Sequence, residues 1–130
     1  MSQLEENKQV IRNYFELINK KETAKAFELL SEDLHWWIAG TTKASGNKDK
    51  RMISLGFKMI HRGFEGFHFI LHEMTAEDNK VSLIAESKGK HSSGRLYNNH
   101  YHFLFTIVDG KIAKVKEYFD TEHATWIENG

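Results

Sequence analysis

The 130-residue length suits one domain with a single core, because a chain of this size buries roughly two thirds of the surface it exposes when unfolded. The 18 Lys and Arg residues balance 18 Asp and Glu, so nucleic acid finds no electrostatic footprint, and no apolar run is long enough for a membrane span. Cysteine is absent, which excludes disulfides and thiol chemistry, and the start MSQLEE lacks the basic and apolar regions of a secretion signal, so a cytoplasmic location is expected.

No repeat or linker-like shift divides residues 1–130, which read as one domain. In NKQVIRNYFELINK, Ile11, Tyr14, Phe15 and Ile18 recur at the spacing of a helix with one buried face. A shorter second helix, with Ala24, Phe27 and Leu30 on one side, is expected to end near Ser31. The segment DLHWWIAGTTKASGNKDKR then reads as a strand and a glycine-punctuated loop flanking a pocket. Neighbouring strand side chains point to opposite faces, so Trp36 and Trp37 meet different surroundings. One is expected to wall a pocket, with Trp37 favoured, and the other to pack against helices or a partner; both being structural is the competing reading. Asn47 reads as the cap of a third helix, Met52, Leu55 and Met59 as its buried stripe or a pliable pocket wall, and Gly63 as its stop.

From Phe67 onward aromatic and β-branched residues dominate. Residues 67–77, 81–91, 96–108 and 111–121 read as strands, separated by the turns EDNK, SSGR and DG, and should form an antiparallel meander. Helices first and hairpins later imply an α+β fold, with helices on one face of a curved, mostly antiparallel sheet.

If Asp109 and Gly110 form a plain two-residue turn, Val108 faces Lys111, Leu104 faces Val115 and His102 faces Glu117. His100, His102 and Leu104 then share a face with Val115, Glu117 and Phe119, while Tyr101, Phe103, Phe105 and Ile107 take the other. Both faces need cover; helices supply one, and a second subunit is expected on the aromatic one. The SSG loop brings Glu86 to the same face as Glu117, near His100. Two carboxyls and an imidazole in a partly dry pocket suit proton transfer, since burial raises a carboxyl pKa toward neutrality and His already titrates there. A satisfied structural Glu–His pair is the alternative, and a one-residue change in either turn reverses the faces. Asp120 is open between a second pocket acid and a cap for a short final helix, residues 121–126. The pairs His68/His72 and His100/His102 have ligand spacing, but a whole strand separates them and third ligands are missing, so no metal site is expected.

The order helix, helix, LHWWIAGT, helix and a meander ending YNNHYHFLFTIVDGKIAKVKEYFDT resembles the SnoaL-like polyketide cyclases and ketosteroid-isomerase-related proteins of the nuclear transport factor two superfamily. The resemblance covers nearly the whole chain. It implies a cone in which a curved sheet wraps the first helix, an apolar pocket at the open end, and a homodimer formed through the outer sheet face. Its pocket acid maps to Glu117 or Asp120, its polar group on the preceding strand to His102 or His100, and its hydrogen-bonding tyrosine to Tyr14. Two departures stand out: Ile38 occupies the place of the isomerase base, and Ile84 that of the arginine in the epoxide hydrolases. The implied function is acid–base chemistry without metal or cofactor on a small apolar substrate. Glu117 or Asp120 and His102 would be catalytic, with Tyr14, Trp37, Glu86, His100 and Phe119 around the ligand. A non-catalytic binding or dimerisation module is the alternative from another class.

Overall fold

The apolar stripe at the start of the chain forms α1, Gln3–Asn19, capped by Ser2, which accepts the Glu5 backbone N–H at 3.1 Å. Ile11, Tyr14, Phe15 and Ile18 are fully buried along it, as their spacing requires. The computed structural model describes Met1–Gly130. The elements that follow are α2 (Thr23–Phe27), β1 (Leu30–Ile38), β2 (Gly46–Lys48), α3 (Lys50–Gly63), β3 (Phe64–Glu77), β4 (Lys80–His91), β5 (Leu96–Val108), β6 (Lys111–Phe119) and α4 (Thr121–Glu128). The six strands form one open sheet in the order β2-β1-β6-β5-β4-β3, antiparallel except where β1 runs parallel to β6. The architecture is the α+β one expected. Register shifts in β3, after Glu65 and after Leu71, bend the sheet, because an unpaired residue sharpens local twist.

The helices pack on the concave side. Phe15 of α1 meets Phe69, Phe103 and Phe105, at ring separations of 4.9, 5.6 and 6.1 Å. At the end of α1, Asn19 binds the Phe69 backbone twice, donating to its carbonyl at 2.9 Å and accepting its N–H at 2.8 Å. Three sequence expectations need correction. The second helix ends at Phe27, because Leu30 is already in β1 opposite Ile112. Asp49, rather than Asn47, caps α3, accepting the Met52 N–H at 2.8 Å. On α3 the buried pair is Ile53 and Phe57, whereas Met52, Leu55 and Met59 are 45, 47 and 69% exposed. This helix carries two apolar stripes at helical spacing, and the methionine stripe faces the open end of the cone.

The decisive correction lies in the last hairpin. Asp109 and Gly110, with φ of 50 and 74°, make the expected two-residue turn, and Val108 faces Lys111. The register then slips by one: Ile107 faces Ile112 but Thr106 faces Lys114, leaving Ala113 as the extra residue of a bulge. Beyond it Phe103, not His102, faces Glu117, and His102 faces Tyr118. Since side chains alternate with a period of 2, this single residue moves Glu117 to the concave side. Tyr101, Phe103, Phe105 and Ile107 are there too, at 8, 1, 0 and 4% exposure, so they are core and not the surface for a second subunit.

Candidate functional site

An open pocket of about 660 Å³ lies at the wide end of the cone between α3, α4 and the concave sheet. Of its 25 lining residues 18 are hydrophobic, which fits it for an apolar body. Trp36, Phe57, Phe103 and Phe119 form part of the interior wall, and the exposed Met52, Leu55 and Met59 border the mouth.

Glu117 is the acid within this apolar wall. The carboxyl is reached from the pocket and enclosed by protein on its other sides. The parallel pairing of β1 with β6 places Trp36 opposite Val115, on the concave face shared with Glu117. From there the Trp36 indole N–H donates to Glu117 Oε1 at 2.8 Å. Burial disfavours the carboxylate and raises its pKa from 4.5 to about 7, while the indole bond opposes the rise. Trp36→Phe removes that opposing bond. It should therefore move the Glu117 midpoint above 7, as read from a carboxyl NMR titration; an unchanged or lowered midpoint would contradict the assignment.

Tyr14 lies behind Glu117, fully buried and off the pocket wall, and its hydroxyl has no hydrogen-bond partner. Its phenol is pushed well above the usual range, first by burial and then by the nearby charge of Glu117. A chain of polar groups borders the pocket on β4 and β5. Ser87 Oγ is 2.8 Å from the Tyr101 hydroxyl, which is 3.3 Å from that of Tyr97, and Asn99 Nδ2 donates to Tyr97 at 2.9 Å. Burial raises the pKa of both phenols.

The model for the SnoaL-like domain matches residues 11–115. The chain belongs to this family. UPF0523 protein B of Dictyostelium discoideum is 26% identical over 118 residues, covering 82% of this chain and 71% of the relative. PrhC from Penicillium brasilianum shares the fold with a TM-score of 0.89 at 13% identity, covering 98% of this chain and 89% of that one. The BvnE pinacolase from Penicillium brevicompactum gives 0.86 at 15% identity, covering 99 and 93%. These structural likenesses show a shared fold.

The SnoaL-like pocket brings together only part of the set expected from sequence. Glu117 and Phe119 line it. His102 is outside, exposed on the convex face with Nε2 2.7 Å from Ser82 Oγ, because the bulge reverses its parity relative to Glu117. The Glu86–His100 pairing is present, but on that same convex face: Glu86 takes a hydrogen bond from Asn98 at 2.9 Å and lies 2.8 Å from His72 Nε2 and 3.7 Å from His100 Nε2. The Asn98 bond, then the His72 one, holds its pKa below the ordinary value, the reverse of a pocket acid. Trp37 is also convex, edge-on to Tyr118 at 5.5 Å, so the two tryptophans exchange the favoured roles. Asp120 is the N-cap of α4 and accepts the His123 N–H at 3.1 Å. No group of three or more His, Cys, Asp or Glu side chains is disposed to hold a metal ion, and no helix is long and apolar enough to cross a membrane.

Tyr97, Tyr101, Ser87 and Asn99 were not foreseen as site residues, and Trp36 was the less favoured of the two candidate tryptophans. The signal for Trp36 was present in LHWWI, where Leu34, Trp36 and Ile38 are apolar and share one parity. The β5 tyrosines needed the bulge to be placed.

Proposed function

We propose that this protein takes a small apolar substrate, carbonyl-containing or cyclic, into the cone and performs acid–base chemistry on it without metal or cofactor, with Glu117 as the proton carrier. The observation that carries this reading is the Glu117 carboxyl, with a pKa of about 7, held by an indole N–H inside an open apolar pocket. A group poised near the working pH is present in useful amounts both as base and as acid. As a base, the Glu117 carboxylate takes a proton from the carbon beside a carbonyl. The C–H electron pair becomes a carbon–carbon double bond, negative charge moves to the carbonyl oxygen, and Glu117 returns the proton to the same or another carbon. His102, Glu86 and Asp120 have no part in this scheme. The volume left open by the side chains supports a ligand site over a module that merely keeps the fold. The test is deuterium incorporation beside the carbonyl of a panel of flat cyclic ketones in heavy water. Catalysis by the protein that is lost in Glu117→Gln is the expected result; no exchange above background with any of them would count against the reading.

The chain is further proposed to pair as a homodimer through the convex sheet face. The aromatic patch first expected there is core, but the convex face still exposes Ile84, at 38%, and Tyr118, at 44% and beside Trp37. Light scattering should give twice the chain mass at micromolar concentration, and Tyr118→Lys should shift it toward one. A monomer mass for the unaltered protein would refute the pairing.

A further inference from the structure

The orientation of the Asn99 amide is fixed by its neighbours. Its Oδ1 accepts two backbone N–H groups, from His100 at 2.8 Å and Asp120 at 2.9 Å, and its Nδ2 donates to the Asp120 carbonyl at 2.9 Å as well as to Tyr97. A flipped amide would set donors against donors, so the Tyr97 oxygen must be an acceptor from Asn99. From this fixed end the hydrogens along the chain can be counted. Ser87, Tyr101 and Tyr97 bring one O–H each, and the two contacts between them consume two. One O–H is left over.

Three arrangements are open to it. If every hydroxyl donates away from Asn99, the surplus hydrogen sits on the Ser87 hydroxyl, which is fully buried and has no hydrogen-bond partner besides Tyr101. That leaves an unsatisfied donor in a sealed position, the costly outcome. If Ser87 donates to Tyr101, the surplus passes to Tyr101 or Tyr97, and both of these line the pocket. The low-cost arrangements therefore aim a phenol O–H at the ligand space.

We propose that Tyr97 and Tyr101 together form the oxygen-recognising element of the pocket, presenting one hydrogen-bond donor to an uncharged acceptor oxygen, as in a ketone, on an otherwise apolar ligand. This rests on the pocket being a ligand site and adds what the ligand must carry. An uncharged oxygen is specified because the charge of Glu117 is felt at both phenols, so an anionic oxygen there would be repelled. The donor and Glu117 border one cavity, which suits a molecule whose acceptor oxygen and exchangeable proton are close together.

The element has built-in redundancy. With Tyr101 removed, Tyr97 accepts from Asn99 and turns its own hydrogen to the pocket; with Tyr97 removed, Tyr101 accepts from Ser87 and does the same. Only the double substitution abolishes the donor.

The experiment compares acetylnaphthalene with isopropenylnaphthalene, in which CH₂ replaces the carbonyl oxygen, and with the anionic naphthoate. Binding is read by tryptophan fluorescence, since Trp36 borders the pocket, at about pH 8, where Glu117 is mainly ionised and is no longer a donor. The unaltered protein should bind the ketone about tenfold more tightly than the hydrocarbon, the effect of about one hydrogen bond, and the naphthoate no better than the hydrocarbon. Tyr97→Phe and Tyr101→Phe singly should retain the preference. The double variant should bind ketone and hydrocarbon equally, with hydrocarbon affinity unchanged as the control for an intact pocket. Equal binding of the two neutral probes by the unaltered protein, a preference that survives in the double variant, or tightest binding of naphthoate would each overturn this inference while leaving the pocket reading in place. Failure of all three probes to bind would overturn both.

Discussion

Glu117→Gln should lower proton-transfer activity by about 100-fold or more, the usual contribution of a positioned acid–base group, while the fold survives. Gln has nearly the shape of Glu, and its amide oxygen can still accept the Trp36 indole N–H that Glu117 accepts at 2.8 Å. What it lacks is the ability to take and return a proton. Because the first step requires the carboxylate, the activity of the unaltered protein should rise with pH through about 7, the value to which burial brings Glu117. His102→Ala and Glu86→Gln on the convex face should leave the activity within a few-fold. A Glu117→Gln loss of less than about threefold would remove Glu117 from the chemistry.

The same substitution should alter the pH dependence of stability. The carboxyl has a pKa of about 7 in the folded chain and an ordinary value of 4.5. The folded state therefore keeps a proton that the unfolded state releases over this interval, and folding is favoured at its acid end. The contribution is fully present below about pH 4.5 and is lost as the pH rises through about 7. A gap of this size corresponds to about 3 kcal/mol, as an order of magnitude. Denaturant unfolding should show the unaltered protein losing stability from pH 5 to pH 8 by up to about this amount. Glu117→Gln, which has no charge to bury, should flatten that part of the profile and be the more stable of the two at the alkaline end. Parallel profiles for the two proteins would mean that Glu117 titrates as a solvated carboxylate.

Much of the fold was legible because local and global signals agree in it. The stripe Ile11, Tyr14, Phe15, Ile18 is buried as a unit, and the strands end where polar turns begin. The Glu86–His100 pairing also held, although on the face opposite to the one expected. The site was harder to read because it depends on parity, and one bulge residue reverses parity. A trace of the bulge is nevertheless present in KIAKVKEYF. Ile112 and Val115 are both core, at 0 and 2% exposure, yet an odd spacing in a regular strand would put them on opposite faces. Ile112 is buried and Lys114 exposed although they are two residues apart, which requires an extra residue after Ile112. On α3 the limit is different. Ile53 and Phe57 at one helical spacing and Met52, Leu55 and Met59 at another form two apolar stripes, and composition alone does not tell a core face from the rim of a pocket.

The claim that Glu117 is a pocket acid poised near neutrality is tested most directly by titrating that carboxyl. Glutamate labelled with ¹³C at the side-chain carboxyl, with the resonance assigned by its absence in Glu117→Gln, reports the protonation of this one group without any substrate. A midpoint near 7, well above the ordinary carboxyl value of 4.5, is the predicted result. A midpoint at or below 4.5 would contradict it, showing a carboxylate that is fully solvated or held as an ion at all working pH values.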